Sequence, residues 1–160
     1  MSRMIVFYYT LEGNSGFAAE TAAELAGAEI EQLQVGKEPP KKGLGKFLVG
    51  GGAAIRGTDP GLLPVAAQLQ EYDAVILAYP IWAGKFPPAI GAFLERYDLT
   101  GKDVYVITSS SSGNPGKSVQ QVAAKTGGVR AYLSLLNPLK HREEAKAQIK
   151  AFLEQNQLNG

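Results

Sequence analysis

The chain has 160 residues, 45% of them apolar and 19% charged, enough for one domain with a substantial core, and its formal net charge of +1 offers no general attraction to nucleic acid, membrane or acidic partners. Cysteine is absent, which excludes a disulfide framework, a thiolate metal site and a cysteine nucleophile. The start MSRMIVFYYT lacks a cleavable apolar leader and the longest apolar run, AVILAYPIWA, is too short to span a bilayer, so a soluble, cytoplasmic, single-domain protein (1–160) is expected.

The first element is a strand, MIVFYY from Met4 to Tyr9, whose unbroken apolar character suits a strand covered on both faces. It runs into TLEGNS, where Thr10, Gly13, Asn14 and Ser15 bring hydroxyls, a carboxamide and backbone N–H groups to a helix N-terminus. That is an anion site without a cation, although a plain capped loop has the same composition. The helix that follows places Phe17, Thr21 and Leu25 on one face, with Ala18 and Ala22 beside them, and stops at Gly27. AEIEQLQV, Ala28 to Val35, alternates as a half-exposed edge strand does.

The next stretch, VGKEPPKKGLGKFLVGGGAAIRGTDPG, has six glycines between Gly43 and Gly57. It suits a surface connection with a broken helix, whose apolar members Leu44, Phe47, Leu48, Val49 and Ile55 tuck onto the domain or form a partner patch. Its basic residues Lys37, Lys41, Lys42, Lys46 and Arg56 fit a solvated face, or a docking surface for an acidic redox partner or a pyridine-nucleotide phosphate.

AVILAY, Ala74 to Tyr79, is a second buried strand. The loop after it holds the only tryptophan, Trp82, three residues past the strand, where an indole could lie against a planar ligand rather than anchor the core. Pro87 and Pro88 open a helix burying Ile90, Phe93 and Leu94. DVYVIT, Asp103 to Thr108, is a third buried strand, followed by the polar TSSSSGNPGKS. Gly116, Lys117 and Ser118 match the end of a phosphate-binding P-loop, but Ser111 stands where its first glycine belongs and no strand ends in a magnesium-holding aspartate, which argues against nucleotide hydrolysis. A helix marked by Val119, Val122 and Ala123 ends at Gly127 and Gly128. VRAYLSLL, Val129 to Leu136, is the last strand. The final helix carries Ala145, Ile149, Phe152 and Leu153 behind Glu143 and Glu144, which suit a helix N-terminus. His141, the only histidine, is expected at the surface, remote from the three loops, where neither a catalytic triad nor a histidine metal cluster can be assembled.

Strands alternating with helices imply an α/β fold, a doubly wound parallel sheet with helices on both faces, and five strands fit the order 2-1-3-4-5. Ligands of such sheets sit beyond the carboxyl ends of the strands at the switch point, which singles out the loops after the first, third and fourth strands.

Those loops together resemble the flavodoxin family, and the resemblance runs over nearly the whole chain. The family's phosphate loop [TS]-x-T-G-N-T has its counterpart in Thr10, Leu11, Glu12, Gly13, Asn14 and Ser15. The P-x-W-x-G loop of a branch of small flavodoxin-like proteins is matched by Pro80, Ile81, Trp82, Ala83 and Gly84. The resemblance implies that the first loop holds the phosphate of FMN, that the second flanks the isoalloxazine, and that Ser109, Ser110, Ser111, Ser112, Gly113 and Asn114 hydrogen-bond its pyrimidine edge. It implies a flavodoxin-like redox protein passing electrons through non-covalently bound FMN to a redox partner protein or small-molecule acceptor, with no side chain needed as acid or base. Three departures bear on this: the third loop has no aromatic residue, the chain is near neutral rather than acidic, and Lys85 could favour a negatively charged reduced flavin or be a solvated surface lysine. The alternatives are an FMN-dependent NAD(P)H:quinone-type oxidoreductase and a binding module that has lost its flavin.

Overall fold

The computed structural model describes residues 3–36 and 60–159. The glycine-rich basic segment, with Lys37, Lys41, Lys42, Lys46 and Arg56, lies outside the described residues, as does its expected broken helix.

Five parallel strands form one sheet in the order β2-β1-β3-β4-β5. They are β1 (Met4–Tyr8), β2 (Glu29–Gln32), β3 (Ala74–Pro80), β4 (Asp103–Ser110) and β5 (Ala131–Leu136). The helices among the described residues are α1 (Asn14–Ala26), α2 (Pro88–Arg96), α3 (Ser118–Thr126) and α4 (Arg142–Gln155). The expected fold class and strand order are therefore the observed ones.

Why the central strands are apolar on both faces follows from the two cores. Ile5, Phe7, Val75, Leu77 and Val106 pack toward one side with Ile90 and Phe93 of α2 and Val122 of α3. Their neighbours Val6, Ile76, Ala78 and Ile107 pack toward the other, against α1 and against Ile149, Phe152 and Leu153 of α4. Alternate side chains of one strand serve opposite layers, so neither set can be polar.

Helix α1 departs from its expected face. Leu25 is 42% exposed, and Phe17 and Thr21 are only partly covered, while Ala18, Ala19, Ala22, Ala23 and Ala26 are buried. The small side chains allow the helix to lie close on the sheet. Gly16 shows how close: a Cβ there would lie 3.6 Å from the Tyr8 ring of β1. Choosing the face by bulk rather than by fit rotated it by about one residue.

The edges behave as edges. β2 is largely exposed, and the last strand, expected from Val129, enters the ladder as β5 at Ala131. There Ala131, Leu133 and Leu135 face the α1 and α4 layer, leaving Tyr132 and Leu136 half exposed on the other side. An antiparallel bridge between Val35 and Leu62, with Gly36 N–H donating to Gly61 O at 3.0 Å, joins the residues flanking 37–59.

Candidate functional site

The connections after β1, β3 and β4 leave the sheet at its carboxyl edge, and a cleft of about 420 Å3 opens between them. It contains Thr10, Leu11, Glu12, Asn14 and Ser15 of the first loop, Pro80 to Ala83 of the second and Ser109 to Ser111 of the third. Gly13, Gly84, Ser112, Gly113 and Asn114 shape the loops but are not on its wall. Lys85 is likewise off the wall. Asn137, from the loop after β5, is on it and was not expected.

The first loop turns on Gly13, whose φ of 102° lies where only glycine is comfortable. Gly13 N–H donates to Thr10 Oγ1 at 3.0 Å, and Phe17 N–H donates back to Gly13 O at 2.9 Å, which starts α1. The N–H groups of Asn14, Ser15 and Gly16 then open the helix with no intrahelical acceptor. The side chains of this loop are engaged within the protein. Ser15 Oγ lies 2.6 Å from Ser109 Oγ, with both residues 2% exposed, and Asn14 Oδ1 accepts from Leu139 N–H at 3.0 Å.

That last bond corrects one expectation. The loop ending at His141 is not remote from the others, because the β5–α4 connection leaves the same edge of the sheet. Leu139 packs so closely on the phosphate-type loop that a Cβ at Gly13 would lie 3.3 Å from its Cδ1. His141 itself is exposed and off the cleft wall, as expected.

In the second loop, Trp82 and Lys85 exchange backbone hydrogen bonds of 2.9 and 3.0 Å across a two-residue turn. Both central residues have positive φ, 52° at Ala83 and 74° at Gly84, as a type I′ turn demands. The turn presents the Trp82 indole to the cleft, and Tyr9 braces it edge to face, with ring centroids 5.7 Å apart. Among the described residues Trp82 is the one aromatic side chain on the wall.

The third loop is fastened to the second. Lys117 N–H donates to Gly84 O at 2.7 Å, and Gly116 lies so close that a Cβ on it would sit 2.7 Å from Gly84 Cα. Beneath, the Tyr79 hydroxyl donates to Ser118 Oγ at 3.1 Å, and Ser118 donates to Pro115 O at 2.8 Å. Burial pushes the Tyr79 phenol well above its ordinary pKa, so it remains a protonated donor. Within the loop, Ser110 Oγ accepts from Gly113 N–H and Asn114 Oδ1 from Gly116 N–H.

Chemically the cleft has an apolar wall of Leu11, Pro80, Ile81 and Trp82, a rim of serine hydroxyls, and one end at a helix N-terminus. The NADPH-dependent FMN reductase family model matches residues 4–137, spanning all five strands and the three loops. This chain belongs to that family. Membership bears out the resemblance drawn from the loops, to flavodoxin-like FMN-binding redox proteins.

Relatives of this chain point the same way. The NAD(P)H dehydrogenase (quinone) of Acidovorax ebreus (strain TPSY) is 26% identical over 127 residues, covering 73% of this chain and 60% of that protein. The match thus spans 60% of the length of that curated relative. Among solved structures, a candidate flavoprotein from Bacteroides eggerthii DSM 20697 superposes with a TM-score of 0.76 at 23% identity, covering 96% of this chain and 97% of that one. A flavoprotein in complex with FMN from Lactobacillus acidophilus NCFM gives 0.71 at 16% identity, covering 89% and 98%. These likenesses show a shared fold. No helix among the described residues is long and apolar enough to cross a membrane.

Proposed function

We propose that this chain binds FMN without covalent attachment in the cleft between its loops and passes electrons through it, with NAD(P)H as the donor. One observation carries the reading: the 420 Å3 cleft lies at the switch point between β1 and β3 and ends on the first turn of α1. Its size falls within the range of small-molecule sites. The residues present fit the group. Leu11, Ile81 and Trp82 suit a planar ring, the serines of the third loop suit the ring's polar edge, and the N–H groups of Asn14, Ser15 and Gly16 suit a phosphate.

When bound, the flavin supplies the hydride- and electron-accepting chemistry. The chain positions it. The type I′ turn and Tyr9 fix the angle of Trp82, and the Gly116–Gly84 contact fixes the spacing of the second and third loops. No carboxylate, lysine or histidine of the described cleft needs to move a proton.

Family membership and the quinone dehydrogenase relative support NAD(P)H as the donor. That Trp82 is the one aromatic side chain among the described residues of the wall supports a reductase passing hydride onward to a quinone-like acceptor, a second planar ligand. Anaerobic stopped-flow mixing of the FMN-loaded protein with NADPH tests this. Bleaching of the flavin band in the first seconds is expected. A flavin that dithionite reduces but neither NADPH nor NADH does would instead make the chain a carrier fed by a protein partner.

A further inference from the structure

Asn137 reaches the cleft wall from the connection between β5 and α4, outside the three loops that the sequence singles out. Its φ of 38° lies in the left-handed region, which asparagine tolerates better than most residues with a Cβ. Backbone hydrogen bonds fasten it there. Asn137 N–H donates to Ser110 O of the third loop at 2.9 Å, and Asn137 O accepts from Lys140 N–H at 2.8 Å. Two residues on, Leu139 N–H donates to Asn14 Oδ1 of the first loop. Asn137 therefore stands where the third loop and the first are joined, between the two ends of the cleft.

The other amides and hydroxyls of the wall are largely committed. Ser15 and Ser109 hold one another, Asn14 Oδ1 holds Leu139, Thr10 Oγ1 accepts from Gly13 N–H, and Ser110 Oγ accepts from Gly113 N–H. The Asn137 carboxamide is half-buried and takes part in no hydrogen bond among the described residues. It offers two donors and one acceptor with two lone pairs. A residue held in a sparsely populated backbone region, with its polar side chain unspent on the wall of a cavity, is a mark of a ligand contact.

A flavin laid with its ring at Trp82 and its phosphate at the first turn of α1 brings its polyol chain past the join between the loops. Each hydroxyl of that chain both donates and accepts, which suits a carboxamide. We propose that Asn137 hydrogen-bonds the ribityl hydroxyls and so selects flavins that carry this polyol over the bare isoalloxazine ring. The proposal rests on the flavin reading above and adds to it the part of the ligand that this residue recognises.

Asparagine also suits a φ of 38° for backbone reasons alone, and the choice of substitutions separates the two roles. Asn137→Gly keeps or eases the backbone and removes the carboxamide, whereas Asn137→Asp keeps a group that accepts from a hydroxyl. Flavin-free protein of each form is titrated with FMN, with riboflavin and with lumiflavin, which has the ring but no polyol, following Trp82 emission, and its thermal midpoint is recorded. Asn137→Gly weakens riboflavin and FMN by the same factor, roughly three- to tenfold, with an undiminished midpoint, and lumiflavin behaves alike with all three forms. Asn137→Asp holds riboflavin within about twofold of the unmodified chain. Riboflavin affinity unchanged in Asn137→Gly, a loss confined to FMN, a loss shared by lumiflavin, or a riboflavin loss in Asn137→Asp as large as in Asn137→Gly overturns the role of Asn137 and leaves the flavin site standing. Failure of the unmodified chain to bind any of the three flavins overturns the flavin reading itself, and the proposal with it.

Discussion

Ser15 and Ser109 lie 94 residues apart in the chain and meet through one 2.6 Å hydrogen bond that ties the first loop to the end of β4. Ser15→Ala would leave the Ser109 hydroxyl buried without its partner, a loss of about 1–3 kcal/mol, and adding Ser109→Ala should recover part of it. Urea unfolding of the two single variants and the double variant measures this. A Ser15→Ala protein of unchanged stability that had lost most of its FMN affinity would place the hydroxyl on the phosphate instead. Ala83 offers a gain. With φ at 52° it occupies a region that costs an L-residue with a Cβ roughly 1 kcal/mol, which asparagine tolerates better in a type I′ turn. Ala83→Asn should therefore raise stability by about 0.5–1 kcal/mol, read as a higher denaturant midpoint with an unchanged slope. Much of this was beyond the sequence. Thr10 to Ser15 and Trp82 could be named from residue type and position, but the hydrogen bond between two serines so far apart could not. Nor could Asn137, whose only local signal is an Asn-Pro step after an apolar run.

Elements were legible where burial is two-sided. β1, β3 and β4 carry unbroken apolar runs because both of their faces are covered, and the boundaries of β3 and β4 differ from expectation only at their carboxyl ends, where the ladder extends to Pro80 and Ser110. α1 was legible as a helix but not in its orientation, because alanines that pack closely are quieter in sequence than one conspicuous leucine. The contact between the second and third loops had no sequence signal beyond a glycine. Its consequence is sharp: Gly116→Ala would drive a Cβ into the Gly84 carbonyl and to 2.7 Å from Gly84 Cα, at a φ of 58° that already disfavours alanine. Backbone cannot step aside as a side chain can, so the loops must part. The expected outcome is at least tenfold weaker FMN binding, with stability lowered by about 1–3 kcal/mol. Titration and thermal unfolding of the variant check it, and wild-type affinity would mean that the spacing of the two loops is immaterial to the ligand.

At the scale of the whole molecule, one strand order accounts for both the core and the cleft. Placing β1 between β2 and β3 sends the α1 connection to one layer and the chain toward β3 to the other, and the loops diverge where the order reverses. This much followed from periodicity, since strands alternating with helices admit few topologies. The near-neutral charge supports a small-molecule reductase over an acidic electron carrier without changing the fold. The single tryptophan makes the central claim directly measurable, because its indole forms the cleft wall. Titrating the purified, flavin-free protein with FMN while following Trp82 emission should give saturable quenching at one flavin per chain, and the complex should keep a flavin absorbance band after gel filtration at micromolar concentration. A folded protein, by circular dichroism, that shows neither quenching nor retained flavin would contradict the account.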